Sequence, residues 1–266
     1  VRRGLAGTLA CALVAGFVFS LHLLESRVDR ALASRVEPSL RIVDVPQTLT
    51  GTVDAALRDA LTPLMARSWT EAELCREMAG VAAQSGWVRQ VHSVRRHSDG
   101  VFEIRCDFRA PFAMVQGGAS FYLVDEEGVR LPGVYAYDPR WIFLAGVTHS
   151  SPAVGERWPG DDIPAGLAVV EAIREEPYAA QITSVILDNY EGRVDARAVH
   201  VELATDNQGR ILWGSPPGQE IEENSVLQKL TILRENYRRT GRADARLTRI
   251  GICTFPDRYT IPGFGT

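Results

Sequence analysis

The side chains best suited to chemistry in this chain are its five histidines and its paired carboxylates. A catalytic histidine needs a carboxylate or thiol within reach, and a metal site needs ligands at short, repeated spacings. His22, His92, His97, His149 and His200 show no such spacing with an acid or a cysteine. His92 and His97 flank Arg95-Arg96 on a hairpin, and His200 falls on the solvent face of a strand, so these read as surface positions. Asp161-Asp162 could act as an acid–base pair or hold a cation, but it lies between Gly160 and Pro164, where aspartates solvate turns. Glu222-Glu223 reads as the opening of a helix, where carboxylates meet the positive end of the dipole. Glu175-Glu176 reads as the exposed end of another. Arg95-Arg96 could meet lipid headgroups or a partner's carboxylates, although a solvated hairpin face explains it more simply. No Gly-x-Ser-x-Gly elbow, phosphate loop, dinucleotide fingerprint or His-Glu-x-x-His helix is present. These residues suggest a binding protein rather than an enzyme, with no catalytic, cofactor or metal residue to assign.

The four cysteines do not alter that reading. Cys11 lies in an apolar run, and Cys75, Cys106 and Cys253 cannot all pair. Cys106 falls on the buried face of a strand, where it reads as a small hydrophobe; a Cys75–Cys106 bridge stays open. A net charge of −4 provides no field for nucleic acid. The basic residues are arginine except for Lys229, a bias that reads as compositional.

Leu5 to Leu24 carries no formal charge, and at about 1.5 Å per residue it reaches about 30 Å, the thickness of a bilayer core. With Arg2 and Arg3 before it, the run is expected to form a single membrane helix with residues 1–4 in the cytoplasm and the rest outside. A cleaved leader is the competing reading, since Ala31-Leu32-Ala33 resembles a cleavage site. The charged Glu25, Arg27, Asp29 and Arg30 separate that site from the apolar run and favour the anchor.

Beyond a linker over 25–39, hydrophobic spacing predicts a strand at Leu40–Val45 and a helix carrying Val53, Leu57, Leu61 and Leu64. A second helix is expected from a Thr70/Glu73 capping box with a Trp69/Leu74 staple, burying Leu74, Met78 and Val81. Asp99-Gly100 then marks a hairpin. Its second strand alternates through Phe102, Ile104, Cys106 and Phe108, while its first, with Val88, Val91 and Val94 spaced by three, implies a bulge. Pro111 ends this part and Gly117-Gly118 reads as a hinge. A second hairpin pairs Phe121–Val124 with Val129–Leu131.

Further strands are expected at Trp141–Val147, Ile182–Leu187, Ala198–Ala204 and Arg210–Trp213. Ser150–Pro164 reads as loop, and helices are expected at Ala165–Glu175 and Ile221–Arg239. The latter has Val226, Leu230, Leu233 and Tyr237 on one face. A last strand spans Ala245–Phe255, is broken by Pro256-Asp257 and is read as extended by Tyr259–Ile261; its residues Ile250–Phe255 lack the lysines or internal proline that usually guard an edge. The class is α+β: a β-α-α-β-β domain over 40–110, then a mixed β-rich domain over 111–266 with a long helix before its last strand.

In order and spacing, Trp87-Val88, Val91, Arg109, Pro111, Ala113, Tyr122, Val124, Asp125 and Gly128 resemble the domain junction of the bacterial cell-division proteins of the FtsQ/DivIB family. Leu144-Ala145-Gly146 and the Lys229-Leu230 pair fit the same pattern. The resemblance implies a POTRA domain for the first module and a non-catalytic, single-pass inner-membrane scaffold of the divisome. It further implies that the C-terminal strand receives partners resembling FtsB and FtsL, with Ile250, Ile252, Cys253, Thr254 and Tyr259 at the contact. Ile250 and Ile252 facing the core is the simpler alternative for those two. A POTRA-bearing secretion component, usually built of repeats not found here, and an anchored hydrolase, which needs a convergent polar site, are the rivals.

Overall fold

The computed structural model describes residues 16–24, 27, 38–65, 67 and 73–254. The described residues do not form the expected membrane helix. Among the described residues no helix is long and apolar enough to cross a membrane. Residues 16–24 are helical, but that stretch rises only about 14 Å, under half of a hydrocarbon core. Leu5 to Ala15, the Thr70 cap and Trp69 of the staple lie outside the described residues. The chain divides between Phe108 and Arg109 into two compact units.

In the first unit β1 (Ser39–Val43) is followed by α1 (Thr50–Met65), α2 (Leu74–Gln84), β2 (Val88–Arg96) and β3 (Val101–Phe108). The sheet order is β1-β3-β2, with β1 parallel and β2 antiparallel to the central β3. Alternation on β3 buries Phe102, Ile104 and Cys106. Val53, Leu57 and Leu61, one helical turn apart, are each fully buried on α1, each contributing about 1.5–3 kcal/mol of apolar burial. On α2 the buried stripe is Leu74, Met78 and Ala82; Val81 is only half-buried. The Asp99-Gly100 turn closes the hairpin, with Gly100 at φ 91°. The uneven valine spacing on β2 corresponds to register shifts at Val88/Gln90 and Val91/Ser93.

Among the described residues the second unit is a mixed seven-stranded sheet with two α-helices. Its elements are β4 (Ala113–Gly117), β5 (Ser120–Val124), β6 (Phe143–Ala145), α3 (Asp162–Ile173), β7 (Ile182–Ile186), β8 (Val201–Thr205), β9 (Arg210–Gly214), α4 (Val226–Thr240) and β10 (Arg249–Gly251). Strand order is β10-β9-β8-β7-β6-β4-β5. Leu144, Val185, Leu203, Ile211 and Trp213 form one core with Val170 and Ile173 of α3 and Leu230 and Leu233 of α4. Gly166 lets α3 approach closely: a Cβ there would lie 2.9 Å from both Leu144 Cδ2 and Leu187 Cδ1.

Several boundaries differ from the sequence expectation. Gly117-Gly118 is a hairpin turn between β4 and β5, not a hinge. The expected pairing of Phe121–Val124 with Val129–Leu131 is present as a bridge between Val124 and Arg130 with backbone bonds from Leu131 to Leu123 and from Asp125 to Val129, although 129–131 do not form a full strand. α3 starts at Asp162, inside the expected loop, because proline is tolerated in a helix's first turn. α4 starts at Val226, leaving Ile221 82% exposed, because Ser225 caps it: its hydroxyl accepts from the Gln228 amide and Gln228 returns the bond. The last strand is three residues long, since Ala245 and Arg246 adopt positive φ in a turn.

Candidate partner-docking edge

The far edge of the sheet is built by a crossover. β9 and β10 are parallel, so the chain must travel back between them, and α4 makes that return. Gly241, at φ 74°, ends α4 with its amide on Tyr237 O. Asp244 then fixes the approach to β10. Its buried carboxylate accepts from Thr205 Oγ1 at 2.9 Å, Arg242 Nη2 at 3.0 Å and the Arg246 amide at 2.9 Å. Burial opposes this charge, but Arg242, the Arg246 amide and Thr205 outweigh it and hold the pKa below the ordinary aspartate value. Gln181 ties the same turn from β7's side, donating to Gly241 O and accepting from the Ala243 amide.

On β10 the Ile252 amide donates to Leu212 O and Thr248 O accepts from the Arg210 amide. In a parallel ladder alternate residues face the neighbour, so Arg249 and Gly251 turn their amides and carbonyls outward. Among the described residues no strand pairs with that side. The opposite edge of the sheet differs: Phe121 exchanges backbone bonds with Tyr135, Leu131 donates to Leu123 O and Asp125 to Val129 O, so residues 129–135 cover β5.

The expected contact residues divide. Ile250 is half-buried in β10, and Ile252 and Cys253 are buried, the core alternative for the first two. Thr254 is exposed, and Tyr259 lies outside the described residues. Residues 252–254 are not strand; their carbonyls end on Asn224, whose amide takes Cys253 O and whose side chain takes Ile252 O and Thr254 O. Burial, then Glu223, pushes the Cys253 thiol pKa up, leaving a poor nucleophile.

Beside the edge, on the sheet face away from α3 and α4, lies an open groove of about 430 Å³. Ile186, Val199, His200, Glu202, Arg210 and Arg249 line it, and Arg249 Nη2 reaches Glu202 Oε1 at 3.0 Å.

Other sequence candidates are placed differently from their reading. His92 lies 2.9 Å from Asp107 and His97 3.7 Å from Glu103, both cross-strand contacts that spacing along the chain did not reveal. Asp162 does not solvate a turn; it is buried, accepting from the Thr148 and Ile163 amides and Arg193. Glu222 and Glu223 precede α4 rather than open it. Cys75 and Cys106 are both free, and burial, then Asp107, pushes the Cys106 thiol up to about 11. Among the described residues no group of three or more His, Cys, Asp or Glu could hold a metal. The sequence reading missed the cluster of Ser215, Glu223, Asn224 and Lys229. The available signal was Lys229 itself, the sole lysine among 29 basic residues, placed on an apolar helix face.

No family model matches this chain, and a search of curated proteins gives no match.

Proposed function

We propose that this chain is a non-catalytic scaffold of the bacterial division machinery, resembling the FtsQ/DivIB proteins. It acts on the outer side of the cytoplasmic membrane and takes a strand from a partner resembling FtsB or FtsL onto β10. The observation that carries this reading is the asymmetry of the second unit's sheet among the described residues: β5 is covered, and no described strand pairs with the outer side of β10. An unpaired edge offers backbone donors and acceptors that an incoming strand completes. The groove beside it, lined by the apolar Ile186 and Val199 and the charged Glu202, Arg210 and Arg249, would take that strand's alternate side chains.

Three of the residues behind the resemblance, Arg109, Asp125 and Gly128, support the same reading because they meet within the second unit. Arg109 Nη1 lies 2.5 Å from the buried Asp125, whose other oxygen accepts from the amides of Glu127 and Val129 around Gly128.

The test is a fluorescent fusion of the full chain together with co-purification of the FtsB-like protein. Septal recruitment and capture are expected. Gly251→Pro deletes an outward donor where a Cβ meets only Leu212 Cδ1 at 4.0 Å, and should lower capture at least about tenfold. Uniform distribution in the cell, with capture absent or indifferent to Gly251→Pro, would end the reading.

A further inference from the structure

Lys229 is the only lysine in a chain with 28 arginines, and it is fully buried. Its ammonium donates to Ser215 O at 3.1 Å and Glu223 Oε2 at 3.2 Å, and lies 5.3 Å from the centre of the Trp213 ring. An ammonium has three donors on a compact head, whereas a guanidinium has five on a wide plane and would leave several unpaired here. The arginine bias is thus broken at a place where arginine does not suit the site.

Glu223 extends the connection. Its Oε2 also accepts the Ser215 amide at 2.9 Å and its Oε1 the Ser215 hydroxyl at 3.0 Å, which closes the loop from Ser215 onto itself. The next residue, Asn224, is buried and holds the three carbonyls after β10: Cys253 O at 2.8 Å, Ile252 O at 2.9 Å and Thr254 O at 2.7 Å. Every step from the ammonium to the end of the edge strand is therefore a hydrogen bond or a peptide bond.

We infer that Lys229 is a positioning residue for the docking edge, acting through Glu223 and Asn224 to hold β10 in register before a partner arrives. The inference rests on the docking role proposed above. A three-residue strand paired on one side frays unless its end is fixed. The clasp fixes it, so the ordering that strand addition requires is already made in the free protein. Without the clasp, only the fraction of molecules with an ordered edge can capture a partner, and apparent affinity falls by that fraction.

The experiment compares the full chain with Asn224→Ala and Lys229→Met by amide hydrogen exchange and by capture of the FtsB-like protein. Exchange at the Ile252 and Asn224 amides should rise at least about tenfold in both variants while Val185 and Leu203 keep their protection, and capture should fall by a similar factor. A uniform rise across β7–β10 would make Lys229 a plain stability element and overturn the inference. Unchanged exchange at Ile252, or faster exchange with undiminished capture, would also overturn it. Should Lys229→Met fail to fold, Asn224→Ala leaves the Lys229–Glu223 pair intact and decides the outcome. If the unaltered chain captures no such protein, the docking role falls, and the exchange data still decide whether the clasp exists.

Discussion

The two edges of the seven-stranded sheet follow opposite rules. At β5 the chain folds back and fills the edge itself, and Phe121, Tyr137 and Phe143 pack edge-on or tilted, with ring centres 5.3–5.8 Å apart. At β10 the described residues hold the strand from its inner side and its end, leaving two residues facing outward. A bare edge is an aggregation hazard, so proteins normally shield both. Here the edge that no described strand covers is kept to three residues and pinned, a pattern that suits use by a partner. The first unit treats its own β2 edge differently again, with bulges and the charged Arg89, Arg95 and Arg96 along it.

The contrast can be broken from either side. The largest effect is expected from Asp125→Ala, which removes a fully buried carboxylate from Arg109 and from the turn that folds 129–135 over β5. Losing one partner of such a pair should cost about 3–5 kcal/mol in urea unfolding and make the protein prone to aggregate through β5. A cost below about 1 kcal/mol would show that the turn does not hold the cover. Leu233→Ala empties a fully buried site under the other half of the sheet and should cost about 3 kcal/mol by thermal or urea unfolding.

Acid should act on the β10 side through Asp244. Its folded pKa lies below the unfolded value, so its stabilisation is present above about pH 4 and is lost as pH falls through the folded value. Protection factors at the Arg210 and Ile252 amides should fall over that range, and Asp244→Asn should flatten the dependence while lowering protection at neutral pH. The smallest effect is expected from Arg249→Ala. Its pair with Glu202 leaves the arginine side chain 59% exposed, so stability should change by under about 1 kcal/mol, with the groove's charge altered but the fold intact.

How far the sequence revealed this molecule depended on what each residue faces. The β2–β3 hairpin was legible because its turn is Asp99-Gly100 and β3 has one buried face, so alternation shows. β4 was not, because Ala113, Met114 and Val115 are all buried in the middle of a sheet and give no alternation, while Pro111 and Gly117-Gly118 beside them look like a hinge. The last strand was read too long because Ala245–Thr248 is apolar enough for a strand, yet its backbone turns around Asp244. Edge position was legible from chain order. The clasp was not, since Lys229, Glu223 and Asn224 meet residues 215 and 252–254 only through the crossover.

The seclusion of Lys229 also hides the chain's one side-chain amine from acylating reagents. A mild anhydride or succinimidyl ester should spare that amine while the clasp is shut. The first opening of the region in each molecule would then leave one permanent mass increment at Lys229, so the fraction acylated over time reports rare excursions that no arginine could provide.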